Sequence, residues 1–313
     1  MRHVSRHQHL DGRGSAMTEY RVHNRVGENP VWDAGSGRLL WIDVRRQQLL
    51  SIDPQSDEPT VQHWQLDEPV GAMALCADGR VLLALRRRLV LLDRRDGSLK
   101  PVAEVDTEPP GNRLNDGKVS PGGGWFVFGS MNDGSHKLPT GSLHVLGADG
   151  RVRRLRGGLC VANGIAFSPD GLQIYFSDSH AGQVWVAPWD EARGDMGAPR
   201  HFVFSGEAEG RPDGAVVNRR GDYLSAGVSA GRLNRFSADG LRLPALHLPC
   251  RAPTMCCYGG PSLQWWFVTS LVRPEWTAGP PQDDGQHAGS CDGSLFRLVS
   301  DGLGLPAASF RFL

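Results

Sequence analysis

Apolar residues in this chain arrive in short runs, and polar or glycine-containing turns cut each run before a helical period can establish itself. The clearest runs are Arg38–Val44, Arg80–Arg86, Gly124–Ser130, Gln173–Ser179, Asp222–Val228 and Trp265–Leu271. Their starts lie roughly 42 to 49 residues apart, which is the repeat length of a four-stranded propeller blade. A further apolar run follows most of them, at Gln47–Asp53, Arg88–Asp93, Gly141–Leu146, Gly182–Ala187, Gly231–Phe236 and Gly293–Leu298. Asp149-Gly150, Asp239-Gly240 and Asp301-Gly302 then supply tight turns of the kind that close hairpins. The best helical segment is short, around Asp190–Arg193. Six strand–turn–strand units without helical crossovers predict an all-β fold, a six-bladed β-propeller of four-stranded antiparallel blades.

The segment preceding each clear run carries the chemistry. These segments are Glu28–Asp33, Gly71–Gly79, Asn115–Gly123, Asn163–Gly171, Asp213–Gly221 and Thr254–Ser262. In a propeller the first strand of every blade lines the central channel. Glu28, Gly71, Asn115, Asn163, Asp213 and Thr254 share one register and therefore form a ring about the axis. Four of the six bear a carboxylate or carboxamide oxygen, the donors a hard divalent cation takes. Two negative charges would neutralise such an ion. Asp and Asn also favour strand ends and turns, which accounts for any one of them but not for four in one register. Arg113, two residues before Asn115, projects near the same mouth, where a guanidinium can hold substrate hydroxyls or developing negative charge. Lys118, beyond a tight Asn115-Asp116-Gly117 turn, reads as structural.

Composition narrows the function classes. The chain has 313 residues with 34 Lys+Arg against 34 Asp+Glu. That balance gives no basic excess for nucleic acid or an anionic membrane. No apolar run is long enough to span a bilayer. The six cysteines lack C-x-x-C spacing, so zinc-ribbon and thioredoxin-like chemistry are unsupported and a reducing, cytoplasmic setting fits. Residues 1–16 are polar, with no apolar signal core, and read as a disordered leader; Met17 offers a second start, and residues 17–313 form the single propeller domain. Protected blade edges make a monomer the expectation. Gly227-Val228-Ser229-Ala230-Gly231 matches the G-x-S-x-G nucleophile elbow, which requires a strand-to-helix turn; here it joins two strands, and a hairpin explains its glycines.

The motifs Gly27–Asp33, Arg113–Pro121 followed by Gly129–Met131, Ala162–Gly171, Pro212–Val217 and Pro253–Gly260 resemble the gluconolactonase/regucalcin (senescence marker protein) family, from about Val26 to Leu298. The resemblance implies a six-bladed propeller with one axial divalent cation (Ca, Zn, Mn, Mg or Fe) and hydrolysis of a small sugar lactone to its aldonic acid. It implies Glu28, Asn163 and Asp213 as metal ligands, Asp213 as the candidate general base, and Arg113 and Asn115 at the substrate. The loop Asn132–Thr140 is where family members vary their substrate contacts, so Asp133 and His136 become candidates there. Asn29 stands where the family has a small residue, and Ser120 replaces a common Asp. The alternatives are a non-catalytic calcium-binding or interaction propeller, and hydrolysis of another ester or phosphoester in the same metal site.

Overall fold

The second strand of each blade has both faces covered by neighbouring blades, which is why its sequence reads as a nearly continuous apolar run rather than an alternation. The structure, a computed structural model, describes residues 2–11, 13–273 and 291–312. It contains six antiparallel sheets, whose inner strands are Gly27–Asp33, Ala72–Leu75, Asn112–Val119, Ala162–Phe167, Arg211–Val217 and Pro253–Gly259. Each inner strand packs on the next and the sixth packs on the first, so the sheets close as a six-bladed propeller. Among the described residues there is no helix, hence none long and apolar enough to cross a membrane.

The hydrophobic core is divided into six parts, one at each blade junction. Leu82 and Ala84 of the second blade pack with Leu114, Phe126 and Phe128 of the third. Val81 and Leu83, on the opposite face of the same strand, pack with Leu40 and Ile42 of the first. Vicinal Cys256 and Cys257 divide in the same way, Cys256 joining the fifth-to-sixth junction and Cys257 the sixth-to-first. All six cysteines are free thiols.

The chain ends depart from expectation. Ala16–Tyr20 is the fourth strand of the last blade, paired with Leu295–Val299, so the two ends of the chain close the ring. The residues expected to form a disordered leader are paired instead: Arg6–Leu10 adds a fifth strand beyond Ala16–Tyr20, and Arg2–His3 pairs with the outer strand of the first blade. The reason lies in the backbone. An outer strand edge presents free N–H and C=O groups to any extended segment, whatever its hydrophobicity. His9 Nε2 also meets the buried Glu19 carboxylate at 2.9 Å. At the other end, Phe310 bonds to Leu75 and Ala77 of the second blade and Arg311 to Gly123 of the third, so the C-terminal segment lies across the turns that leave the inner strands. Asp190–Arg193, the short helical candidate, is a hairpin turn between Gln183–Asp190 and Asp195–Met196.

Candidate metal centre and its cavity

The inner strands share one irregularity. Register shifts follow Glu28, Asn115 and Asn163, where a bulge interrupts pairing with the second strand of the blade. The residue after each of these has a left-handed backbone, with φ of 50° at Asn29, 40° at Asp116 and 61° at Gly164. A bulge rotates the preceding side chain relative to the pleat, and here it presents the ring residue to the axis. Asn115-Asp116-Gly117, expected as a tight turn, is therefore a bulge inside the continuous strand Asn112–Val119. Asn29 explains its own departure from a small residue. Its Nδ2 donates to the Gly117 carbonyl (3.2 Å) and its Oδ1 accepts the Met73 N–H (2.6 Å), tying the first blade to the second and third.

Glu28, Asn115, Asn163 and Asp213 all line one cavity of about 970 Å³, together with Arg113. The other two ring positions contribute packing. Gly71 has no room for a side chain, because a Cβ there would collide with the Leu114 carbonyl. Thr254 is fully buried and donates its hydroxyl to the Gly27 carbonyl at 2.5 Å.

A polar network orients the amides. Asn163 Nδ2 donates to Ser179 Oγ (2.7 Å), which in turn donates to the Pro212 carbonyl (2.6 Å). Asn163 Oδ1 accepts from Asn115 Nδ2 at 3.0 Å, and Asn115 Nδ2 also reaches the Ala162 carbonyl at 2.9 Å. Arg113 is fixed from three sides. Its Nη1 donates to Asn115 Oδ1 (2.7 Å) and the Leu114 carbonyl (2.9 Å), and its Nε to Asp133 Oδ1 (3.2 Å). Asp133, a candidate for touching substrate, thus meets the site through Arg113, and it also receives both terminal nitrogens of Arg45 at 2.7 and 3.1 Å. His136 is exposed and its Nδ1 lies 3.3 Å from Ser135 Oγ.

The carboxylates are poorly compensated. Glu28 accepts only the neighbouring Asn29 N–H, at 3.1 Å, and neither it nor Asp213 has a salt-bridge partner among the described residues. Burial, the Asp213 charge and the Asp116 charge raise the Glu28 pKa well above the usual range. Burial and Asp116 push Asp213 up to about 7. Asp116 is a third buried carboxylate that pattern reasoning missed, since Asn-Asp-Gly reads as a turn. Its Oδ2 accepts the Ile165 N–H at 2.9 Å, clamping the third blade to the fourth, and burial raises its pKa too. Orphaned carboxylates beside an oriented amide oxygen fit a hard divalent cation, since an uncompensated buried charge is otherwise costly. Glu28, Asn163 and Asp213 are the residues that could hold it.

Cations at the cavity were also missed by sequence reasoning, among them Arg45, Lys137 and Arg211. Arg211 stands two residues before Asp213 as Arg113 stands before Asn115, and that shared offset was the available signal. Loops around the mouth are pinned by carboxylates at the ends of second strands. Asp43 accepts the N–H groups of Arg25 and Val26 at 2.8 and 3.2 Å, and Asp178 those of Cys160 and Val161 at 2.7 and 3.2 Å. Ser229 sits exposed in the hairpin between Tyr223–Val228 and Arg232–Phe236, with φ of 74° and Arg273 Nη2 at 3.2 Å from its hydroxyl. That is a turn, not a nucleophile elbow.

A family model described as SMP-30/Gluconolactonase/LRE-like region matches residues 26–272. The chain is 35% identical over 246 residues to a 6-deoxy-6-sulfogluconolactonase of Pseudomonas putida, covering 78% of this chain and 83% of that protein. It is 31% identical over 269 residues to regucalcin of Xenopus laevis, covering 83% and 89% respectively. Among solved structures, a calcium-binding regucalcin of Agrobacterium tumefaciens superposes with a TM-score of 0.82 at 28% identity, over 93% of this chain and 95% of that one.

Proposed function

Because this chain belongs to the SMP-30/gluconolactonase/LRE-like family, we propose that it hydrolyses a small sugar lactone to the open-chain aldonic acid, with the channel as its active site. The observation that carries this reading is the convergence of Glu28, Asn163 and Asp213 with Arg113 and Asn115 on one cavity. Relatives named as lactonases support the reaction class. A divalent cation held by Glu28, Asn163 and Asp213 would supply Lewis-acid polarisation of the lactone carbonyl.

The remaining work belongs to the protein's own groups. A water oxygen adds to the carbonyl carbon, and the bond from that carbon to the ring oxygen breaks. The Asp213 carboxylate takes the proton from the attacking water and returns it to the ring oxygen as that oxygen leaves, which regenerates the carboxylate. Arg113, held by Asp133 and the Leu114 carbonyl, stabilises negative charge as it develops on oxygen without having to reorganise. Asn115 shares its amide between Arg113 and Asn163, and so couples substrate contact to ligand orientation.

The test is turnover of a panel of aldonolactones, followed with a pH indicator, with added divalent ions and with chelator. Asp213→Asn is expected to lower kcat at least about 100-fold, the lower end for loss of a general base, while its circular dichroism stays that of the parent. Wild-type turnover in that variant would refute the assignment of Asp213. The relatives named regucalcin, one described as calcium-binding, favour a second reading, a calcium-binding propeller without catalysis. Calcium binding with no lactone turned over under any metal would select it.

A further inference from the structure

The whole chain balances its charges, but the cavity does not. Eight Lys and Arg residues line it against three carboxylates, Glu28, Asp213 and Asp292. Two of those three are the candidate metal ligands, and Asp292 is held by Arg251 at 2.6 Å. Among the eight, Arg113, Arg45 and Arg211 stand close enough to Lys137 for their charges to act on it. The carboxylate among them is Asp133, and it is divided between Arg45, Arg113 and, at 3.8 Å, Arg86.

Two of these cations keep donors for a ligand. Lys137 Nζ donates to the Asn132 and Gly134 carbonyls, both at 3.0 Å, which leaves its third N–H. Arg211 is exposed, and its side chain has no hydrogen bond or ion pair among the described residues, so the full guanidinium fork is available. A neutral sugar does not need this arrangement. Gathering cations without counter-charges costs repulsion, and a planar fork beside an ammonium matches an oxyanion with two or three terminal oxygens.

Resting on the lactonase reading, we propose that the substrate is an anionic sugar lactone, one that carries a phosphate, sulfonate or carboxylate at the end of its carbon chain remote from the lactone carbonyl, and that Arg211 and Lys137 receive that group. The lactone carbonyl then lies at Glu28, Asn163 and Asp213 while the charged tail lies against the wall of the third and fifth blades. Specificity comes from both ends.

The test compares kcat/KM for glucono-1,5-lactone with that for its 6-phosphate, its 6-deoxy-6-sulfo analogue and the lactone of the corresponding 6-carboxylic acid. At least one anionic lactone is expected to be preferred at least tenfold at low ionic strength, with the preference shrinking in 0.5 M salt because screening weakens exposed charge pairs (about 4 Å Debye length there). The identity of the preferred lactone separates phosphate from sulfonate from carboxylate. Arg211→Gln is expected to lower the anionic-to-neutral kcat/KM ratio at least tenfold. A neutral lactone used as well as every anionic one, with that ratio unmoved in Arg211→Gln, overturns the proposal and leaves the lactonase reading standing. If no lactone is turned over, calorimetry with glucitol 6-phosphate, 6-deoxy-6-sulfoglucitol and glucitol decides separately. Binding of a charged polyol alone, lost in Arg211→Gln, upholds the anion site. Equal heats from all three overturn it.

Discussion

Glu28 and Asp213 sit in the same channel with Asp116 beneath them, and each raises the cost of ionising another. A carboxylate with a raised folded-state pKa binds its proton more tightly in the folded protein than in the unfolded chain. Its contribution to stability is therefore complete below the unfolded value near 4 and is lost as pH climbs through the folded value, about 7 for Asp213. With chelator present, Asp213→Asn should accordingly gain thermal stability relative to the parent as pH rises from 5 to 8. Burial depresses the pKa of His23, which makes stability rise with pH in that window, but this acts equally in both proteins and cancels in the difference. A saturating divalent ion should reverse the order, since a cation competes with protons for the same oxygens. Differential scanning fluorimetry of the two proteins at several pH values measures this directly. A gap in Tm that does not change with pH would mean that the ring carboxylates feel neither burial nor one another.

At the scale of the element, the bulged inner strand is what turns a repeat into a site. Gly71 shows how closely these strands approach: a Cβ there would strike the Leu114 carbonyl and the Asn115 N–H. Leu114 lies between Arg113 and Asn115, so relief of that clash moves both of these cavity-lining residues, proposed above to meet substrate. Gly71→Ala should cost about 1 to 3 kcal/mol, as overpacking in a tight core does, and should raise KM for the lactone as well. Urea denaturation and steady-state kinetics read the two effects, and a normal KM at reduced stability would show that the strand gives elsewhere. The strands and the ring were legible in the sequence because a repeat of blades imposes one register, and burial on both faces writes apolar runs such as Val81–Ala84. The bulges were not legible. Asn115-Asp116-Gly117 satisfies a turn and a bulge equally well, and only pairing with Trp125–Asn132 distinguishes them. Asp133, placed by its loop as a substrate contact, turned out to be the anchor of Arg113, since what a loop carboxylate meets depends on residues such as Arg45 that are distant in sequence. Arg211 was hidden for a similar reason: a lone arginine has meaning only once the cavity it faces exists.

The whole molecule holds its shape by closing on itself, and the closure depends on a segment whose composition gives no sign of that role. Ala16–Tyr20 lies between Arg6–Leu10 and Leu295–Val299, and its burial is lopsided in consequence. Met17, Thr18, Glu19 and Tyr20 are all buried, whereas Arg6–Leu10 alternates between exposed and half-buried. Met17 packs into the junction of the fifth and sixth blades and Tyr20 into that of the sixth and first, so one strand seals two of the six cores. Tyr20 also donates its hydroxyl to the Pro54 carbonyl at 2.9 Å, and Glu19 accepts from Ser294 Oγ at 2.7 Å. A chain that starts at Met17 retains these contacts and should fold, with Tm lowered by only a few degrees, the scale expected for losing about 1 kcal/mol in a domain of this size. A chain that starts at Val22 loses them all. Removal of a buried Met or aromatic side chain costs about 2 to 5 kcal/mol each, and the bare edge of Leu295–Val299 becomes a template for aggregation. Against a typical total of about 5 to 15 kcal/mol, that loss should leave the shorter chain insoluble or unfolded at 25 °C. Purification of the two truncated chains, followed by thermal melts and gel filtration, tests the difference. A folded, monomeric chain beginning at Val22 would show that the blade junctions hold the ring without its clasp.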